Sequence, residues 1–181
     1  ILSVSEGSTR EEWFPMCGIA GFYNLTRSNF TADQHVLDRM QAQLIHRGPD
    51  ASGLWTSDEH QIGLVSRRLS IIDLSAAANQ PMQRGDVIAV FNGEIYNYQA
   101  VRKDLEALGY VFSSQSDTEV IINGYKAWGI EVLKRLDGMF AIALYDLASR
   151  QFFLVRDRLG VKPMYFSVMG GVLSFASEIK K

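Results

Sequence analysis

From residue 17 onward the hydrophobic positions switch between two periods. Residues 18–23 form a short, nearly continuous apolar run and predict a strand. Thr31 with Gln34 three residues later makes a capping box, and Val36, Leu37, Met40 and Leu44 then fall on one helical face. Residues 61–68 and 86–91 read as strands. Asn97 is expected to cap a helix that turns Val101, Leu105 and Leu108 to the core and stops at Gly109. Ser116 and Glu119 form a second capping box, ahead of Val120, Ile121 and Trp128, with Gly129 at the end. Four strands follow, over residues 139–145, 151–155, 164–168 and 172–176, the last pair joined by a Gly170-Gly171 hairpin. Their apolar residues occupy both parities, so the sheet they build is expected to be covered on both faces.

Helices and strands come in blocks rather than in strict alternation, which predicts an α+β fold of stacked layers. Residues 1–16 follow neither period, and Pro15 interrupts them just before Met16. A boundary is therefore placed here, with an N-terminal extension over residues 1–16 and one domain over 17–181. Ile1 is not a translation start. The extension reads as upstream translated, vector-derived or propeptide sequence, with Met16 as the natural initiator in the first two cases.

Composition removes several classes of function. The 181 residues are 47% hydrophobic and 21% charged, as expected of a chain with its own core. Eighteen Lys+Arg against 20 Asp+Glu give a net charge of −2, with no basic field for nucleic acid. The longest apolar run, residues 139–145, is far too short for a membrane span. A single cysteine permits no internal disulfide and suits a reducing compartment, so a cytoplasmic location is expected. His35, His46 and His60 lack the close spacing of paired ligands, so no metal is expected. Gly48 and Gly53 have phosphate-loop spacing, but Leu54-Trp55 stands where Lys-Ser/Thr is needed. No serine lies in G-x-S-x-G.

Cys17 stands out by position. Removal of Met16 would leave it as residue one, with a free α-amine whose reference pKa is ~7.7–8.0. One residue would then supply both nucleophile and base. On composition alone a lone cysteine is equally an inert core thiol, and the residues leave both readings open.

Eight ordered blocks carry a resemblance. They begin with Met16-Cys17-Gly18-Ile19-Ala20-Gly21, His46-Arg47-Gly48-Pro49-Asp50, Arg68-Leu69-Ser70-Ile71-Ile72-Asp73 and Phe91-Asn92-Gly93-Glu94-Ile95-Tyr96-Asn97. Ser116-Asp117-Thr118-Glu119, Gly138-Met139-Phe140-Ala141 and Arg156-Asp157-Arg158-Leu159-Gly160-Val161-Lys162-Pro163 follow, with Ala176-Ser177-Glu178 closing the series. The chain resembles the class II, N-terminal-nucleophile glutamine amidotransferases, and within them the glutaminase domain of glutamine-hydrolysing asparagine synthetases.

That resemblance implies a four-layer αββα sandwich and hydrolysis of L-glutamine to L-glutamate and ammonia. Cys17 would form a thioester, with the Asn92 side chain and the Gly93 N–H as oxyanion donors. Arg68 would clamp the substrate carboxylate and Asp117 its ammonium group. Ile71, Ile72, Asn92, Gly93 and Glu94 would line the glutamine pocket, and His46 and Arg47 would support it. The family usually has histidine two residues before the arginine, where this chain has Ser66. The domain itself would need no cofactor; ATP and Mg²⁺ would serve a C-terminal synthetase domain of the parent chain, absent here, that amidates aspartate. A second copy of the chain is a further candidate partner. Three alternatives remain: another ammonia acceptor, a non-glutamine amide substrate, or a non-catalytic glutamine-binding module with Cys17 blocked by the extension.

Overall fold

The computed structural model describes residues 17–26, 34–57, 61–69 and 75–179. Strand β1 (Gly18–Asn24) is followed by α1 (Gln34–Gln43), β2 (Ala51–Thr56), β3 (Ile62–Arg68), β4 (Met82–Arg84) and β5 (Val87–Ile95). Helices α2 (Tyr98–Ala107) and α3 (Asp117–Trp128) come next, then β6 (Gly138–Asp146), β7 (Gln151–Arg156), β8 (Tyr165–Met169) and β9 (Val172–Ala176). The strands form two antiparallel sheets, ordered β2-β3-β1-β9-β8 and β4-β5-β6-β7.

Period-2 alternation sorts their side chains into three apolar layers. Ile19, Ile62, Leu64, Ile88, Val90, Ala141, Ala143 and Phe175 meet between the two sheets. The opposite parity of β5 and β6, including Ala89, Phe91, Ile142 and Leu144, packs on Val101, Leu105, Val120 and Ile121 of α2 and α3. Ala20, Phe22 and Val65 pack on Leu37 of α1 and Leu44 just beyond it. The result is an αββα sandwich of four layers. Each fully buried aliphatic or aromatic side chain in it contributes roughly 1.5–3 kcal/mol.

The helix ends follow the sequence in part. Ser116 caps α3 by accepting the Thr118 N–H at 3.1 Å, and Gly129 ends it at φ 60°. Glu119 does not complete the box: its carboxylate accepts the Ser113 and Ser114 N–H groups and Arg84 Nε instead. Asn97 makes no side-chain cap on α2, because its amide bridges Arg135 O and Asp137 N. Leu108 lies past the end of α2 and is 59% exposed. Thr31 and residues 1–16 lie outside the described residues.

Two expectations about the strands are corrected. The strand expected over residues 86–91 runs on through Asn92-Gly93 as β5, with Asn92 opposite Ala141 and Gly93 opposite Phe140. A Cβ on Gly93 would lie 2.1 Å from the Met139 carbonyl oxygen, so only glycine lets β6 approach here. The late strands do not share one doubly covered sheet. β6 is buried on both faces between sheet and helices, whereas β8 is an edge strand exposed at all five positions. Their composition is alike; their place in the sheet differs. Strands β2 and β4, which the hydrophobic pattern did not single out, complete the two sheets.

Candidate active site

Strand parity also places the chemistry. Cys17 precedes β1 in the parity of Ile19, and Asn92 lies in β5 in the parity of Ile88 and Val90. Both therefore belong to the layer between the sheets. Arg68 has the inward parity of Ile62 and Leu64, while its neighbour Arg67 turns to α1 and donates to the Gln41 carbonyl at 3.4 Å. Gly48 packs closely on this stretch of backbone: a Cβ there would lie 2.5 Å from the Arg68 nitrogen.

A cavity of about 80 Å³ opens at this end of the sandwich. Its lining includes Cys17, Arg68, Gly93, Glu94 and Asp117, contributed by four separate segments. Asn92 is 1% exposed and sits between two lining residues, Phe91 and Gly93; its Nδ2 is buried without a hydrogen-bond partner among the described residues. Ile71 and Ile72 lie outside the described residues. A larger cavity, about 630 Å³, lies on the α1 side of the five-stranded sheet and holds none of these groups.

The Cys17 thiol is held by one residue. Leu69 N–H donates to Sγ at 3.4 Å, and Sγ–H donates to the Leu69 carbonyl at 3.6 Å. Burial pushes the thiol pKa up; the Leu69 hydrogen bond and the Arg68 charge oppose this, and the Asp117 charge adds to it. Such a thiol is protonated at neutral pH and needs a base to become a nucleophile. His46 does not supply one, because its Nε2 is paired with Glu178 Oε1 at 2.9 Å.

Asp117 opens α3, where its Oδ2 accepts the Ile95 N–H at 3.2 Å. Burial raises its carboxyl to about 6, against the pull of the Ile95 and Thr118 amides. A carboxylate whose charge is disfavoured by burial in a small cavity gains from a cationic partner. Arg68 Nη1 donates to Asn79 Oδ1 at 2.9 Å and to the Ser75 carbonyl at 3.3 Å. Among the described residues no three His, Cys, Asp or Glu side chains gather as a metal site.

Further residues border the site, and of these Gln80 belongs to none of the sequence blocks. Gln80 lines the cavity and joins Phe91 to Thr118. Arg47 Nε donates to the Cys17 carbonyl at 3.2 Å. Ser66, where the family usually has histidine, donates from Oγ to the Gln80 carbonyl at 3.0 Å. Lys162 is 7% exposed; burial lowers its pKa and the Arg47 charge lowers it further, while Cys17, Glu94 and Asp157 act in the opposite direction.

The family model of the glutamine amidotransferase domain matches residues 16–181. The chain belongs to that family. The amidotransferase domain is 40% identical over 168 residues to asparagine synthetase [glutamine-hydrolyzing] 1 of Bacillus subtilis, covering 91% of this chain and 26% of that protein. It is 42% identical over 176 residues to amidase chry2 of Gibberella zeae, again covering 91% of this chain and 26% of the relative. The chain thus spans about a quarter of the length of these curated relatives. Among solved structures, the glutamine phosphoribosylpyrophosphate amidotransferase of Bacillus subtilis superposes with a TM-score of 0.71 at 19% identity, covering 89% of this chain and 42% of that one. That likeness shows a shared fold. No helix among the described residues is long and apolar enough to cross a membrane.

Proposed function

We propose that the domain, as residues 17–181, hydrolyses L-glutamine to L-glutamate and ammonia through a Cys17 thioester. The observation that carries this reading is the buried, unpartnered Nδ2 of Asn92. An unsatisfied buried donor costs roughly 1–3 kcal/mol. Its retention in the layer that also holds Cys17 is explained if it donates to an oxygen that carries charge only during reaction.

In this mechanism the free α-amine of Cys17 takes the Sγ proton as sulfur attacks the side-chain amide carbon of glutamine. The carbonyl oxygen becomes an oxyanion between Asn92 Nδ2 and the Gly93 N–H. The amine returns the proton to the leaving nitrogen, and ammonia departs as the C–N bond breaks. Water, deprotonated by the same amine, then attacks the thioester carbon; the C–S bond breaks, the amine returns the proton to Sγ, and glutamate leaves. Arg68 binds the substrate carboxylate and Asp117 its ammonium group, with Glu94, Ile71 and Ile72 as pocket wall.

The similarity to asparagine synthetases supports a linked synthetase domain, using ATP and Mg²⁺ in the cytoplasm, as ammonia acceptor. The comparable identity to relatives named amidases favours a second reading, the same glutaminase serving another acceptor.

The test compares the chain beginning at Ile1 with one whose free N-terminus is Cys17, each confirmed by intact mass. Every described element lies from Cys17 onward, so the shorter protein loses none of them. With Met16 attached, the Cys17 nitrogen is an amide whose delocalised lone pair accepts no proton. General-base help is worth ~10²–10⁴ in rate, and the longer chain is expected to fall by that factor. Equal ammonia release from both would sink the N-terminal-nucleophile mechanism.

A further inference from the structure

Recognition of a free amino acid by both ends depends on the separation of three groups: the carboxylate clamp, the ammonium acceptor and the oxyanion donors. In this fold they sit on three elements, with Arg68 on β3, Asp117 at the start of α3 and Asn92 on β5. A short segment between β3 and β4 touches all three. It comprises a 3₁₀ turn at Ala76–Ala78 followed by Asn79 and Gln80.

Asn79 Oδ1 accepts from Arg68 Nη1 at 2.9 Å. The next residue, Gln80, is 8% exposed and lines the cavity beside Cys17. Its Oε1 accepts the Phe91 N–H at 2.6 Å, one residue before Asn92. Its Nε2 donates to Thr118 Oγ1 at 3.1 Å, one residue after Asp117. Its own carbonyl accepts from Ser66 Oγ at 3.0 Å, two residues before Arg68. The main-chain donor at Phe91 fixes which way round the amide sits, since only the oxygen accepts.

The ladder between β4 and β5 explains why a side chain is needed. That pairing reaches only Met82 opposite Ala89. The residue preceding Met82 is Pro81, which has no N–H to extend a ladder. The Gln80 side-chain oxygen takes over where the main chain stops, and the same amide reaches across to α3. Both of its polar ends are engaged in a buried site, where each unmatched group would be costly.

We propose that Gln80, seconded by Asn79, is the positioning residue that sets the span of the amino-acid pocket. It couples the oxyanion strand to the ammonium-binding helix, and Asn79 sets the carboxylate clamp against both. The inference rests on the glutaminase reading above and adds to it the element that fixes its geometry.

Two variants test the link from its two sides, in the protein processed to Cys17. Gln80→Met keeps the length and removes both hydrogen bonds, and Thr118→Val removes the hydroxyl partner at nearly constant shape. Glutamine kcat/KM is measured per folded molecule, counted from the amplitude of the cooperative unfolding transition. A misplacement near 1 Å can cost ~10²-fold, so a fall of ~10–10²-fold per folded molecule is expected for Gln80→Met and a smaller one for Thr118→Val. The Gln80→Met/Thr118→Val double variant is expected to fall short of the product of the single effects, because both cut one link. A purely structural role would lower the folded fraction and leave kcat/KM per folded molecule unchanged. That result, or full activity in both variants, overturns the proposal. An inactive parent protein would overturn the glutaminase reading and this inference with it; an active parent with unaffected variants overturns this inference alone.

Discussion

Arg47 holds Cys17 by its main chain: Nε donates to the Cys17 carbonyl oxygen at 3.2 Å, and Nη1 pairs with Glu178 Oε1 at 2.8 Å. A nucleophile at a chain terminus has no preceding residue to fix it, so its position depends on the carbonyl side. Arg47 is 4% exposed, and its rigid planar fork can direct separate donors to Cys17 and Glu178. His46 shares the same Glu178 oxygen, at 2.9 Å. Burial opposes ionisation of Glu178, but Arg47 and then His46 outweigh it and hold the carboxyl at about 2.

Arg47→Met keeps the length of the side chain and removes these donors. Loss of the carbonyl anchor is expected to lower kcat ~10-fold or more while changing KM little, since no substrate group touches Arg47 in the proposed mechanism. Steady-state kinetics on the processed protein check this. A rise in KM with unchanged kcat would place Arg47 in the substrate pocket instead.

Asn92→Ala should lower kcat ~10²–10³-fold with glutamine KM nearly unchanged, because the oxyanion it would bond forms only during reaction. The substitution also deletes the unpartnered donor, so the protein should be no less stable than its loss of packing implies. Kinetics and a melting curve on the same preparation measure both. An increased KM at full kcat would make Asn92 a ground-state contact.

Asp117 predicts a pH limb in binding. Its carboxyl titrates at about 6 in the folded protein, so it is charged above that pH and neutral below it. Glutamine's ammonium group needs the charged form. Binding of L-glutamine to the Cys17→Ala variant, followed by calorimetry, should weaken about tenfold per unit as pH falls below about 6. Asp117→Asn should bind weakly throughout and lose that limb. An unchanged limb in Asp117→Asn would assign the titration to another group.

Glu119 predicts acid sensitivity. It is 1% exposed, and burial disfavours its charge, yet Arg84 with Ser114 and Ser113 holds it at about 2 against an ordinary value of 4.5. A depressed folded pKa contributes stability that is present above 4.5 and lost as pH falls towards 2. The shift corresponds to on the order of 3 kcal/mol. Glu119→Gln should therefore cost a similar amount at pH 7 and little near pH 2. Denaturant midpoints across that range measure the difference, and a pH-independent loss would show that shape rather than charge matters there.

The local elements were largely legible in the sequence. Short apolar runs marked β1, β3, β6, β7 and β9, and Ser116 and Gly129 marked both ends of α3, because apolar runs and helix caps depend on neighbours within a few residues. Order along the chain also revealed Cys17, Arg68, Asn92, Gly93, Glu94 and Asp117 as a set, through blocks shared with a family.

What lay beyond a few residues was decided by the fold. Asn92-Gly93 has the composition of a turn, but nine paired positions between β5 and β6 keep it extended. β8 has the composition of a buried strand, but it forms an edge and stays exposed. Arg67 and Arg68 are chemically equal; only the side of β3 each occupies sends one to α1 and the other to the cavity. Gln80 has no signature at all, since its role consists of distances to Ser66, Phe91 and Thr118. The sequence by itself determined which reactive groups the chain carries and where most of its strands and helices fall. Tertiary structure alone determined how far apart those groups stand, because that separation is set by hydrogen bonds and packing between segments remote in the chain.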